Sequence, residues 1–396
     1  VRAYKYKLRT SKRIAEAFQH TLGLCCDLYN AGLQERRDAY KLGRKSISYA
    51  QQCVELTDVR ESDAAVASIY SQVTQDALRR LNNAFLAFFR RVKAKQTAGY
   101  PRFRSKSRYG SFTYPQSGFR LEGDKLHLAK IGSVRLRLSR PVEGKIKTCT
   151  IKRQADGWFV IFTAETEPEL LLERCEQVGI DVGLLSFATL SDGTEIDNPR
   201  WYREAQARLR RAQRKVARRK KGSHRRRKAD QFFPQQAATF EKQNSVTLSQ
   251  QAARNVPAEI QLLARTHLHI ANQRRDFQHK ISRWLVNNYQ VIAVEDLNVK
   301  GLAGGMLAKS VNDAGWSAFF NMLTYKAEDA GRVLKKVNPN GTSQTCVCGA
   351  STPKRLSQRW HQCWSCGLSA NRDHVSAQVI LQRAGQSLLA VTQPLG

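Results

Sequence analysis

Four cysteines close to the C-terminus are followed almost at once by an aspartate, and their types and spacing are those of metal chemistry. The stretch reads Thr345-Cys346-Val347-Cys348-Gly349, then Cys363-Trp364-Ser365-Cys366-Gly367, then Asn371-Arg372-Asp373. Thiolates in close pairs hold one tetrahedral Zn²⁺, and a glycine after each pair eases the turn back around the metal. The first pair is one residue shorter than the second, so its geometry is expected to be less regular. Cys346, Cys348, Cys363 and Cys366 are therefore expected to bind one structural zinc ion. The alternatives are unmetallated or partly metallated thiols, or His361 standing in for one ligand. Nothing in the pattern points to redox catalysis.

Asp373 gains meaning beside two acids far upstream. Asp181 ends the apolar run Val178-Gly179-Ile180, and Glu295 ends the run Val291-Ile292-Ala293-Val294. Taken singly, each has a plain structural explanation: a turn-capping aspartate, a strand-end acid, a first-turn acid favoured by the helix dipole. Strand periodicity puts Val291, Ala293 and Glu295 on one face and Ile292, Val294 and Asp296 on the other, so one of the two adjacent acids can share a pocket with Asp181. A strand acid, a second strand acid and an acid opening a late helix, in that order, form the carboxylate set of RNase H-like nucleases. Such a set clamps two Mg²⁺ ions roughly 4 Å apart, and hard oxygen ligands suit that ion. His374, next to Asp373, reads more simply as a helix-surface histidine.

The elements that must position these groups can be read coarsely. Residues 1–9 alternate basic and apolar like a strand. Ser11 can cap a helix carrying Ile14, Phe18, Leu22, Cys25, Tyr29 and Leu33, and a second helix is expected from about 64 to 92. Its outer face carries Gln72, Gln75, Arg79, Arg80 and Arg90. Short alternating runs between 102 and 166, with a turn at Asp156-Gly157, predict a small β-barrel completed by the first strand. Further strands are expected at 178–181, 187–190, 291–295 and 332–337. Helical patterns cover 260–284, about 313–330 and about 374–384, with a loose tail after that.

Composition narrows the partners. The 396 residues include 66 Lys+Arg against 33 Asp+Glu, a net charge of +33, and such a field draws polyanions. Nucleic acid is the leading partner, with an anionic membrane surface as the alternative. No apolar run approaches the ~20 residues needed to span a bilayer, and the N-terminus is not a signal peptide. The segment Arg203–Lys228 holds 14 basic residues and one acid, with a thin seam of Ala205, Leu209, Ala212 and Val216. With so few acids to pair with, it reads as a helix tracking a phosphate backbone. Residues 230–257, with six glutamines, read as a flexible insert. Cys25, Cys26, Cys53, Cys149 and Cys175 read as reduced core residues of a cytoplasmic protein.

The chain resembles TnpB, the RNA-guided nuclease of insertion sequences and a relative of type V CRISPR effectors. The resemblance is carried by Tyr4–Arg9, Tyr100-Pro101-Arg102-Phe103-Arg104-Ser105-Lys106, Gly179-Ile180-Asp181-Val182-Gly183, Ala271–Phe277, Val294-Glu295-Asp296-Leu297 and Thr342-Ser343-Gln344-Thr345-Cys346, in that order. It implies an α/β plus β-barrel multidomain fold: a wedge barrel (1–9 and 99–176), a helical recognition lobe (10–98), a RuvC nuclease domain (177–337 and 368–384), a zinc-knuckle insertion (338–367) and a flexible tail (385–396). It implies Asp181, Glu295 and Asp373 as the magnesium-binding catalytic set, choosing Glu295 over Asp296. It also implies a guide RNA from the element's end, a double-stranded DNA target read beside a short motif, and one or two protein copies per RNA. Gln72, Gln75 and Arg79 fall where that motif would be faced, glutamine being suited to adenine edges. Arg210, Arg214, Arg218, Arg274 and Arg275 would line the heteroduplex channel. The chain departs from the family where an auxiliary aspartate and an asparagine become Asn371 and Val375, and in the shortened first cysteine pair. The competing expectations are a CRISPR effector, a guided DNA-binding repressor that does not cut, and a DNA transposase.

Overall fold

The computed structural model describes residues 1–218, 258–355 and 357–392. The expected insert 230–257 and the basic run beyond Arg218 lie outside them. Two compact units divide the chain, Val1–Glu167 and Pro168–Gly396.

In the first unit, strand β1 (Arg2–Arg9) buries Tyr4, Tyr6 and Leu8, as its alternation requires. Helix α1 (Lys12–Gly43) is capped by the Ser11 hydroxyl, which accepts the Ile14 N–H at 3.3 Å. Helices α2 (Tyr49–Ser62), α3 (Ala64–Ala67) and α4 (Ser71–Lys93) follow. The single helix expected over 64–92 is thus broken: the chain turns at Ser68–Tyr70 so that Ile69 enters the core. Helix α2 buries only Gln52 and Leu56, too weak a stripe to be read from periodicity.

Seven strands run in the order β2-β6-β7-β1-β5-β4-β3, with β2 at Ser111–Tyr114, β3 at Phe119–Glu122, β4 at Lys125–Leu128, β5 at Gly132–Arg137, β6 at Lys145–Gln154 and β7 at Gly157–Glu165. All neighbours are antiparallel. The order has two free ends, β2 and β3, so hydrogen bonding does not close the expected barrel. The first strand does not merely complete the sheet; it sits at its centre. Gln154 pairs with Gly157 across a two-residue loop, and Gly157 takes φ +133°, as the Asp156-Gly157 signal predicts. The helices share this sheet's core: Phe18 of α1 packs on Phe112 and Trp158 with ring centroids 5.9 and 5.0 Å away.

In the second unit a five-stranded sheet runs β10-β9-β8-β11-β12: β8 (Gln177–Val182), β9 (Ser186–Leu190), β10 (Glu195–Asp197), β11 (Val291–Glu295) and β12 (Val333–Val337). The three strands β8, β11 and β12 are parallel, while β9 and β10 return antiparallel. The helices are α5 (Trp201–Arg218), α6 (Ala258–Asn288), α7 (Val299–Leu302), α8 (Ala308–Ala314), α9 (Trp316–Ala330) and α10 (Arg372–Thr392). Gly315 at φ +70° separates α8 from α9, so the helix expected from 313 starts at Trp316. Helix α10 continues to Thr392, and the tail expected from 385 is helical over most of its length. Cys25, Cys26 and Cys149 are buried as expected, but Cys175 is exposed.

The sheet has apolar cover on both faces. Val178, Ile180, Ile292 and Val294 pack with Leu285 and Val286 of α6 and Phe319 and Leu323 of α9. Ala293 and Val337 pack with Ile380 and Ala384 of α10. Each buried Val, Ile, Leu or Phe contributes about 1.5–3 kcal/mol. Helix α10 lies so close to β8 that a Cβ on Gly179 would collide with the Ala377 carbonyl oxygen and sit 2.8 Å from the Leu381 nitrogen. Glycine is what lets the helix seat on the strand. Gly179→Ala should cost about 1–3 kcal/mol of stability through overpacking, read as a lower denaturant midpoint. An unchanged midpoint would show that α10 is not seated there.

Candidate active site and metal centre

Parallel pairing of β8 with β11 sets Gly179 against Ala293 and Ile180 against Val294. The next residue in each strand is an acid, Asp181 and Glu295. Ile180 and Val294 point into the α6/α9 core, so alternation turns both acids to the α10 face. Asp373, in the first turn of α10, arrives on that same face. Asp181 is walled in by protein. Desolvation, with the Glu295 and Asp373 carboxylates beside it, holds its pKa well above the usual range against the pull of Arg372 and Arg359. Burial also raises Glu295, opposed by the Thr342 hydroxyl and by Arg383. Asp296 turns away: its carboxylate lies 3.5 Å from Lys336 and its N–H donates to the Val337 carbonyl at 2.9 Å. The strand therefore presents Glu295, as alternation allowed and the resemblance chose.

The three acids fit divalent cations by donor chemistry: half-buried carboxylate oxygens whose charges act on one another. They are electrostatically coupled but less tightly drawn together than the cysteines. Among the described residues, the Cys346, Cys348, Cys363 and Cys366 sulfurs form the one set of potential ligand atoms that all lie within 4.8 Å of each other.

The four sulfurs fit zinc. Cys346–Cys366 and Cys348–Cys363 sulfurs are each 3.6 Å apart, close to the edge of roughly 3.8 Å implied by ~2.3 Å Zn–S bonds in a tetrahedron. The shortened Cys-x-Cys pair still forms a turn, with the Cys346 N–H bonded to Ala350 O at 2.9 Å and Gly349 at φ +88°. Gly367 does the same for the second pair at φ +74°. Backbone N–H groups of Cys366 and Ser365 pull the Cys363 thiol down to about 6, whereas desolvation pushes Cys346 up to about 12, so a cation would be needed to hold all four as thiolates. His361 is not part of the set; it is buried, with Nδ1 against the Lys354 ammonium.

Sequence reasoning missed how the cysteine module grips the acids. Just before Cys346, the Thr342 hydroxyl donates to the Glu295 carboxylate. At the far end, β13 (Trp360–Gln362) pairs with β14 (Ser369–Asn371), which runs straight into α10. Arg359 lies 3.8 Å from the Asp373 carboxylate, and the Asn371 side-chain oxygen accepts the Asp373 N–H at 2.9 Å. Asn371 thus works as a helix cap. Arg383 of α10 donates to the carbonyls of Asn338 and Asn340 at 3.0 and 2.8 Å, tying down the loop before Thr342. Val375 is buried. His374 is half-buried rather than on the surface, with Nε2 3.1 Å from Ser191 O.

The basic and polar candidates divide. Arg210 and Arg214 are exposed on α5, whose Leu209 and Ala212 are buried, as the thin seam predicts. Arg275 is exposed. Arg274 is committed inward, 2.8 Å from Asp313, whose carboxylate also accepts the Tyr202 N–H; it is a structural clamp between helices. The Arg218 side chain lies outside the described residues. In the first unit Arg79 is exposed and Gln75 partly buried, while the Gln72 side-chain oxygen accepts the Ser117 N–H at 3.2 Å. Arg80 is turned to the sheet, bonded to Ser111 O at 2.6 Å. No helix among the described residues is long and apolar enough to cross a membrane.

Fold and site together define a class: a strongly basic α/β chain with strand-end acids converging on a helix start beside a four-cysteine module. Family profiles agree along the chain. A "Probable transposase" profile matches residues 162–233 and 231–305, a "Cas12f1-like, TNB domain" profile 316–380, and a "Helix-turn-helix domain" profile 1–45, where the structure has β1 and the single helix α1. A putative RNA-guided DNA endonuclease of Streptomyces pristinaespiralis is 33% identical over 391 residues, 96% of this chain and 88% of that protein. The putative RNA-guided DNA endonuclease InsQ of Escherichia coli K12 is 29% identical over 98% of this chain and 94% of its own length. The CRISPR-associated endodeoxyribonuclease Cas12f1 of Sulfoacidibacillus thermotolerans is 32% identical over 28% of this chain and 27% of its own length. A cryo-EM structure of a Cas12f1–sgRNA–target DNA complex aligns at 14% identity over 96% of this chain and 98% of that one, with a TM-score of 0.34, too low to establish a shared fold. The chain belongs to the TnpB family, the OrfB proteins of IS605-type elements.

Two outcomes follow from the site. Purified protein should carry one zinc per chain by elemental analysis, and Cys363→Ser should lose it; a zinc-free, fully folded wild type would contradict the assignment. Asp181 gives a pH signature in protein kept free of Mg²⁺. Its folded pKa is raised above the unfolded ~3.9, so below about pH 4 it is protonated in both states and costs nothing. As pH rises past that point, ionisation favours the unfolded chain and the fold loses stability until the folded pKa is passed. Melting curves of the wild type should fall relative to Asp181→Asn over that rise, and Mg²⁺ should restore only the wild type. Parallel curves would contradict it.

Proposed function

We infer that this protein is an RNA-guided DNA endonuclease of the TnpB type, cutting DNA next to a short motif under the direction of a bound RNA. The observation that carries the reading is the meeting of Asp181, Glu295 and Asp373 on one sheet face, in a chain related over nearly its whole length to proteins named for that activity. In this reading residues 177–337 and 368–384 are the RuvC nuclease domain, 338–367 the zinc knuckle, 10–98 the recognition lobe, and the first-unit sheet the wedge. The partners are a guide RNA and double-stranded DNA, with base pairing supplying specificity and protein reading the motif and the heteroduplex backbone.

Asp181, Glu295 and Asp373 would hold Mg²⁺, which supplies an activated water and stabilises the leaving oxygen of phosphodiester hydrolysis. The chain's own residues prepare for that. Thr342 fixes the rotamer of Glu295, and Arg359 offsets charge at Asp373 without neutralising Asp181. Burial of Asp181 excludes water from its unused sides, so its charge is available to a cation rather than to solvent. Arg210, Arg214 and Arg275 offer exposed guanidinium groups to phosphates.

Binding without cutting is the second reading, favoured by Asn371 and Val375 where relatives carry an auxiliary aspartate and an asparagine. The test is to purify the protein with its native locus, sequence the co-purifying RNA, and assay a matching DNA target with Mg²⁺. Cleavage is expected, and Asp181→Ala should slow it by about three orders of magnitude while leaving RNA binding intact, since metal stabilisation of the transition state supplies several kcal/mol. If the wild type binds RNA and target but cuts no faster than Asp181→Ala, the binding-only reading holds.

A further inference from the structure

A cavity in the first unit lies far in sequence from the acids. It has a volume of about 660 Å³ and forms where the C-terminal end of α1 meets the segment Tyr100–Phe103. That volume is in the range that accepts a small organic ligand, roughly 300–1,000 Å³. Its walls alternate two chemistries. Tyr40, Tyr100 and Phe103 line it as residues 56%, 46% and 47% exposed, against the near-complete burial of the core aromatics. Arg37, Lys41, Arg44 and Arg102 supply four positive charges around them.

Two of the three aromatic groups, Tyr100 and Tyr40, are braced. Tyr100 is held edge-on by Phe85 and Phe88, each with ring centroids 5.5 Å away. Arg44 sits over the Tyr40 ring at 5.4 Å, in a left-handed backbone conformation, φ +54°, that ends α1 and throws its side chain back toward the helix. The last α1 carbonyls are already satisfied by backbone: Arg44 N–H bonds Tyr40 O at 3.0 Å and Lys45 N–H bonds Ala39 O at 3.2 Å. The nearby cationic side chains are therefore not consumed in capping. Among the described residues none of the four makes an ion pair.

Half-exposed aromatic faces, two of them braced, ringed by unpaired guanidinium and ammonium groups are complementary to one chemistry: a flat π-ring carrying an adjacent phosphate. We propose that this cavity binds an unpaired ribonucleotide of the RNA the protein carries, its base stacked among Tyr40, Tyr100 and Phe103 and its flanking phosphates held by Arg37 and Arg102. Unpaired bases are recognised by such stacking, and cations track the backbone beside them. The choice of RNA over DNA rests on the two phenol hydroxyls, which no hydrogen bond within the described residues engages and which can read a 2′-hydroxyl. The proposal rests on the RNA-guided reading above and adds a site to it.

The test uses the full chain and a short single-stranded oligoribonucleotide carrying photoreactive 4-thiouridine, with the DNA of matching sequence and an RNA duplex as separate arms. Crosslinks mapped by mass spectrometry should fall on the peptides holding Tyr40 or Tyr100–Phe103. Tyr40→Ala and Phe103→Ala should each weaken single-stranded RNA about tenfold without changing the salt dependence. Arg37→Gln and Arg102→Gln should each lower the slope of log affinity against log salt by about 0.7. Tyr40→Phe should keep the stacking but narrow the preference for RNA over DNA. Crosslinks confined to other peptides, unchanged affinity in the aromatic variants with unchanged melting curves, or equal binding of the DNA arm would each overturn the proposal. If guided cleavage proceeds while the pocket is never labelled, only this site falls; if the chain binds no RNA at all, the RNA-guided reading falls with it.

Discussion

Three carboxylates brought together at the edge of an apolar core repel one another and lose water, and the rest of the second unit is arranged around that unfavourable act. Asp181 bears it most heavily, since burial and both neighbouring acids push its proton affinity up. The chain accepts the cost because the acids ride on elements that have independent reasons to be where they are. Two belong to adjacent parallel strands whose alternate residues fill the α6/α9 core. The third opens a helix that seats on bare backbone at Gly179. A cation bound there would convert repulsion into attraction, so the geometry that costs the metal-free protein stability is the one a cation would favour.

The cysteine module is the brace for this arrangement. It touches the acids from both ends, through Thr342 to Glu295 and through Arg359 to Asp373, and its small hairpin delivers the chain into α10. A zinc ion at the four sulfurs would therefore steady two of the acids at once. Asn371 fits the same logic. Its amide caps the helix that carries Asp373, a positioning task that an aspartate side chain also performs.

Much of the second unit was legible in the sequence. Apolar runs ending in acids gave β8 and β11, alternation limited the choice between Glu295 and Asp296, and cysteine spacing gave the cluster of four sulfurs. The first unit was harder. Its barrel expectation came from short alternating runs, and alternation predicts strands but says nothing of whether the two edge strands, β2 and β3, pair; they do not. The break at Ser68–Tyr70 carries neither Gly nor Pro, and α2 buries too little to leave a stripe. Arg274 looked like a channel residue because a sequence shows charge without showing the partner; Asp313, 2.8 Å away, supplies it from a distant helix. Thr342 had no signal of its own, because a threonine holding a carboxylate reads like any other threonine.

The central claim is that bound RNA directs this acidic site to DNA, and reprogramming tests it most directly. The complex would be reconstituted with its co-purified RNA and with versions whose 3′ segment is replaced by new sequences, and cut positions on a DNA library would be mapped with Mg²⁺. The account predicts that cleavage moves to each new matching sequence, always beside one constant short motif, and disappears with Asp181→Ala. Cutting at the same positions whatever the RNA carries, or cutting undiminished by Asp181→Ala, would contradict it.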